Sequence, residues 1–146
     1  MYGSFSPDGR WVAYHSNASG RPEVYVRPFV PPDDGGTVSP TAAGQVQVSV
    51  AGGIHPVWRS DGKEIYYINP DGDLMAAPIA GARGTVEPGL PVRLFATRIY
   101  SSGTDIQMGR QYDVTRDGRF LVNALLSDTV APITLLQHWN PAATKR

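Results

Sequence analysis

The sequence predicts an all-β fold of short antiparallel strands, and two observations carry that prediction. Glycine (16) and proline (13) together make up about a fifth of the 146 residues. That leaves little room for long helices and favours strands joined by turns. A segment also recurs three times: Phe5-Ser6-Pro7-Asp8-Gly9-Arg10-Trp11-Val12-Ala13-Tyr14, Trp58-Arg59-Ser60-Asp61-Gly62-Lys63-Glu64-Ile65-Tyr66-Tyr67 and Val114-Thr115-Arg116-Asp117-Gly118-Arg119-Phe120-Leu121-Val122. Each copy places Asp-Gly before a basic residue and a short apolar run. Asp8, Asp61 and Asp117 lie 53 and then 56 residues apart. A period near 50 is too long for one hairpin and fits a four-stranded propeller blade with its loops.

The elements follow in order. Asp8-Gly9, Asp61-Gly62 and Asp117-Gly118 are hairpin turns: Asp hydrogen-bonds the backbone ahead of it, and Gly takes positive φ without a steric cost. The runs behind them, Trp11 to Tyr14, Ile65 to Ile68 and Phe120 to Val122, do not alternate with polar residues. A strand with one wet face would alternate, so these middle strands are expected to be buried on both faces. In the first period Glu23 to Phe29 is a third strand and Gln45 to Val50, strictly alternating, a fourth. In the second, Asn69-Pro70-Asp71-Gly72 turns the chain into a strand over Asp73 to Ile79, and Pro91 to Phe95 is the fourth. In the third, Pro132 to Trp139 is the third strand. The expected architecture is therefore a partial β-propeller over 1–146, about two and three-quarter four-stranded antiparallel blades, at approximately 2–50, 54–96 and 111–139. Propellers close with about four to eight blades, so the chain reads as the C-terminal piece of a larger one or as a shortened reading frame.

Composition bounds the function. There is no Cys, so disulfides, thiolate metal sites and Cys nucleophiles are absent. Basic and acidic residues balance at 13 each, which gives no reason to expect nucleic acid or a membrane surface as partner. No apolar run approaches the length of a membrane span, and the first residues lack the pattern of an export signal.

Ser6-Pro7-Asp8-Gly9-Arg10 ahead of an apolar strand resembles the WD-repeat-like blades of TolB-type propellers. The run Gly52 to Tyr67, and Tyr112 to Asn123 with Pro132-Ile133-Thr134 and Trp139-Asn140, resemble the C-terminal propeller of bacterial receptor-like serine/threonine protein kinases. That resemblance implies a parent with a kinase, a membrane span and an extracytoplasmic propeller. It carries no kinase activity onto this chain, which has no Gly-rich nucleotide loop, His-Arg-Asp or Asp-Phe-Gly. TolB-like blades also occur in prolyl oligopeptidase-type serine peptidases, whose nucleophile sits in a Gly-x-Ser-x-Gly that is not present here.

No catalytic, cofactor-binding or metal-binding residue is expected. His15, His55 and His138 fall in three different blades without ligand spacing and read as surface or turn histidines. The segment Asn69 to Asp73 fails the calcium-loop pattern, with Leu74 and Ala80 where Gly and an acid belong. The Asp-box turn of sialidase propellers separates Asp and Gly by one residue, and here they are adjacent. Arg59, Arg83, Arg93, Arg98, Arg110, Arg116 and Arg119 read as ordinary solvated loop residues rather than an anion-binding rim. Trp11, Tyr14, Trp58, Tyr66, Tyr67, Phe120 and Trp139 read as packing between blades. The only assigned site residues are the structural turns Asp8, Gly9, Asp61, Gly62, Asp117 and Gly118. The expected function is non-catalytic binding or sensing by a rigid frame that displays loops to a protein or peptide. The missing blades, or other copies, would cover its open faces. The alternative is an accessory propeller of a peptidase.

Overall fold

The computed structural model describes residues 3–29, 44–81, 85–99 and 109–125. Eleven strands lie among them, and no helix: β1 (Gly3–Phe5), β2 (Trp11–Ser16), β3 (Glu23–Pro28), β4 (Val46–Gln47), β5 (Ile54–Trp58), β6 (Glu64–Ile68), β7 (Asp73–Ala80), β8 (Glu87–Pro88), β9 (Val92–Ala96), β10 (Tyr112–Val114) and β11 (Phe120–Val122). They form three antiparallel sheets. Sheet 1 runs β1-β2-β3-β4. Sheet 2 runs β5-β6-β7, and β7 is flanked along its far side by β9 and, at its end, by the short β8. Sheet 3 holds β10-β11. The expected strand over 132–139 lies outside the described residues. The fourth strand of sheet 1 is shorter than its alternation predicts, only Val46–Gln47, because Val48 and Ser49 leave the ladder to bond Val24. Strand β8 has no counterpart in the sequence reading.

Of the three middle strands only β6 is buried on both faces, and that decides the packing. Strand β2 leaves Val12 and Tyr14 half-buried on its far side, and β11 leaves Leu121 exposed, because no further sheet of the described residues covers those faces. On β6, Ile65 and Tyr67 join Ala13, Val24, Val26 and Val48 of sheet 1 in one core, together with Trp58, Ala77 and Val86. The alternate residues Tyr66 and Ile68 join Val57, Leu74, Ala76, Ile99 and Tyr112 in a second core that Val114, Phe120 and Val122 close from sheet 3. Sheet 2 is thus the middle of three layers, buried on both sides, and the sheets do not close on themselves.

A buried carboxylate pins sheet 1 to the connection that leads into sheet 2. Glu23 accepts from Arg21 Nε (2.5 Å), from the Ser49 hydroxyl and from Gly52 N (3.0 Å). Arg21 also donates to the Val50 carbonyl (2.9 Å), and Ser49 Oγ accepts Val24 N (2.7 Å). A buried charge is tolerable only with such a full set of partners.

The far face of sheet 1 carries Phe5, Val12, Tyr14, Tyr25 and Arg27, aligned by the register of β1, β2 and β3. Phe5 meets Phe29 edge-on at 4.9 Å, and the Arg27 guanidinium lies 5.6 Å from the Tyr14 ring centre. No other sheet of the described residues packs on this face, and Phe5 is 58% exposed.

Candidate functional site

The three Asp-Gly turns, far apart in sequence, form a row along one rim. In the first, Asp8 Oδ1 accepts Ser6 Oγ (2.6 Å) and Arg10 N (3.1 Å), while Ser6 Oγ accepts Trp11 N (2.9 Å). In the second, Asp61 Oδ1 accepts Lys63 N (3.0 Å). In the third, Thr115 does the work of Ser6: its hydroxyl donates to Asp117 and accepts Arg119 N (3.0 Å). Gly9, Gly62 and Gly118 have φ of 70°, 72° and 84°, the left-handed geometry that glycine adopts without strain. The turns touch: a Cβ on Gly62 would stand 3.8 Å from Pro7 Cδ, and Ser60 Oγ donates to the Arg116 carbonyl (3.2 Å).

The third turn departs from the repeat. Ser6 N bonds Trp11 O and Arg59 N bonds Glu64 O, but Thr115 N bonds Arg119 O, one residue sooner. Phe120, not Leu121, therefore takes the place of Ile65 and Val12. This shift directs Phe120 and Val122 onto sheet 2 and leaves Leu121 73% exposed on the far side.

Charge along the row is locally balanced. Arg10 lies 3.9 Å from Asp8, Arg59 3.5 Å from Asp61 and 3.2 Å from Glu64, and Arg119 2.8 Å from Asp117. The Ser6 hydroxyl holds Asp8 below the usual carboxylate range, and the Thr115 hydroxyl does the same for Asp117. Elsewhere Arg93 grips Asp73 (2.6 Å) and Arg110 reaches Asp113 (3.4 Å). Arg83 lies outside the described residues.

Between the first two turns a cleft of about 310 Å3 opens. Its polar edge is Asp8, Asp61 and Lys63, and Trp11, Trp58 and Val86 supply apolar wall. Trp58 is 7% exposed, and its indole N–H has no hydrogen-bond acceptor among the described residues.

Two of the three histidines correct the sequence reading, and His138 lies outside the described residues. His15 and His55 are neither surface nor turn residues: both are buried, their rings 5.5 Å apart and nearly perpendicular. The His55 amide donates to His15 Nδ1 (3.4 Å), and the His55 carbonyl accepts the Tyr112 hydroxyl (2.6 Å). One backbone unit therefore links all three sheets. His55 has φ 54°, at the register shift between Ile54 and Val57 that marks a bulge. The contact spans 40 residues, and the bulge that turns His55 toward sheet 1 has no reliable mark beyond Gly52-Gly53 and Pro56. Burial, and then the neighbouring His55, push His15 below its ordinary value, and burial pushes Tyr112 up. Among the described residues no group of three or more His, Asp or Glu stands where it would hold a metal ion.

Strand β9 is the exposed edge of sheet 2. All five of its residues are exposed, Val92 at 54% and Leu94 at 39%. Its register with β7 shifts between Leu74 and Met75, so Leu94 has no counterpart across the ladder. The sequence signals the strand through Val92 to Phe95 and, as the fourth of its sheet, puts it at an edge, but it does not mark the bulge at Leu94.

The geometry defines a class, an all-β protein of stacked antiparallel sheets. Compared with protein-family models and with curated proteins, the chain matches none.

Proposed function

We propose that the chain is a propeller-type module that binds a protein or peptide without catalysis. The four-stranded sheet 1, the five-stranded sheet 2 and the hairpin of sheet 3 are read as successive blades. The sequence resemblance to the C-terminal propellers of receptor-like kinases supports a sensor role as part of a larger protein. The observation that carries the binding reading is β9. It pairs with β7 on one side only among the described residues, and it exposes Val92 and Leu94. An apolar edge strand is a template for an added strand. Main-chain bonds would supply affinity, and side-chain contacts with Val92 and Leu94 the selectivity. Sheet 2, buried on both faces, holds that edge rigid.

The test is selection of a random displayed-peptide library on the wild-type chain, followed by measurement of the selected peptides on Leu94→Lys and Val92→Lys. Peptides that bind wild type and lose about tenfold or more in affinity on the variants, at an unchanged unfolding midpoint, are the expected result. Failure to enrich any peptide, or equal binding to the variants, would overturn the proposal.

A further inference from the structure

We infer that the open face of sheet 1 is a docking surface for a second copy of this chain. Its occupant is the outward face of the copy's sheet 3, seated as one sheet already sits on the next within the stack. None of the residues involved belongs to β9, so the inference stands or falls apart from the peptide reading.

The register of the sheets carries the argument. On sheet 2, Trp58 opposite Ile65 and Tyr67 opposite Met75 share one face, and sheet 1 packs on it. On sheet 3, Val114 opposite Phe120 is the equivalent pair, and sheet 2 packs on it. On sheet 1 the same positions hold Phe5 opposite Val12 and Tyr14 opposite Tyr25, with no sheet of the described residues against them. The other faces repeat as well. Ala13 and Tyr66 are buried against the sheet that follows, while Leu121, at the same position, is 73% exposed. Each open face is thus of the kind that covers the other, and one molecule carries both. Tyr66 meets Phe120 edge-on at 4.9 Å within the stack; the equivalent contact between copies is Leu121 on Val12, beside Phe5. The face is also rich in aromatic side chains and arginine, the residue types that dominate protein interfaces.

Arg27 sets the strength of the contact. It stands where sheet 2 has the fully buried Ala77, and its guanidinium lies 5.6 Å from the Tyr14 ring centre. A docked copy strips water from that charge, which costs affinity.

The chain has no Cys, so introduced thiols report the contact cleanly. Val12→Cys and Leu121→Cys are mixed in equal amounts and treated with a bismaleimide that reaches about 10 Å, the spacing of packed sheets. The expected product is a covalent dimer holding one copy of each variant, with neither variant cross-linking to itself. Asn17→Cys, in an exposed loop away from both faces, gives the background. Should Val12→Cys fail to fold, Phe5→Cys, exposed and opposite Val12, replaces it. Arg27→Ala, which restores the residue type of sheet 2, should lower the concentration of half-association about tenfold. A mixture that cross-links only at background, a single variant that dimerises with itself as well as the mixture does, or association left unchanged or weakened by Arg27→Ala would overturn the inference.

Discussion

His15 is the residue whose environment makes the sharpest demand on conditions. It sits between two sheets with the His55 ring beside it, and its Nδ1 accepts the His55 amide. Protonation would put a charge into the core and replace that acceptor with a donor. Burial is the main reason its pKa is lowered. In the unfolded chain the imidazole titrates near pH 6.5; in the folded chain it titrates lower. Between those two values the unfolded state holds more protons, so stability falls as the pH drops below about 6.5 and levels off once the folded pKa is passed. Asp8, Asp73 and Asp117, all held low by hydrogen bonds, act in a separate window. Their contribution is lost below the ordinary carboxylate value near 4. Urea unfolding midpoints measured from pH 8 to 5 should decline on the acid side for wild type. The His15→Gln variant should show a flatter profile there. Equal slopes in the two proteins would remove His15 as the cause.

At the scale of elements, sheets 2 and 3 are joined by the second core and by a few polar contacts, of which the Ser60 hydroxyl, on the Arg116 carbonyl, is an exposed one and the Tyr112 hydroxyl a buried one. It is buried and donates to the His55 carbonyl at 2.6 Å, where β5 bulges. Tyr112→Phe keeps the ring in the second core and deprives that carbonyl of this donor. The expected cost is about 1–2 kcal/mol, the range for a lost buried hydrogen bond. Hydrogen exchange should show it first as faster exchange in β10 and β11; unchanged exchange there would refute the link. The strands themselves were largely legible, because burial on both faces removes alternation. Ile65 to Ile68 shows this directly, its residues dividing between two cores. The turns were legible because Asp and Gly carry their own geometry. The third turn's one-residue shortening was not, since Asp117-Gly118-Arg119 has the same chemistry as Asp8-Gly9-Arg10 and only the closing hydrogen bond differs. The His15–His55 contact and the bulge at Leu94 in β9 were not legible either. Both depend on how strands meet across the fold, and local pattern does not encode that.

The three described sheets form a stack with a direction. Strand pairs Phe5–Val12, Trp58–Ile65 and Val114–Phe120 occupy one position in successive sheets. Trp58 and Ile65 pack against sheet 1, and Val114 and Phe120 against sheet 2. Phe5 and Val12 have no such neighbour among the described residues, and Phe5 is 58% exposed. At the opposite end Leu121 occupies the position of Tyr66 and Ala13, both buried, and is 73% exposed. Each covered interface joins the leading face of one sheet to the trailing face of the one before it. Contacts of that kind are heterologous: they repeat head to tail and need not stop at a dimer. Exposed apolar faces of this kind also favour association in water. The isolated chain should therefore self-associate into a distribution of sizes rather than one symmetric dimer. Sedimentation velocity should show a weight-average mass above the 15.8 kDa of the monomer that rises with protein concentration. Phe5→Lys, which charges the open face of sheet 1 without entering either core, should move that distribution toward monomer. A wild-type chain that stays monodisperse and monomeric across the micromolar range, with a sharp cooperative thermal transition, would refute the open-stack argument and mean that these three sheets are self-sufficient.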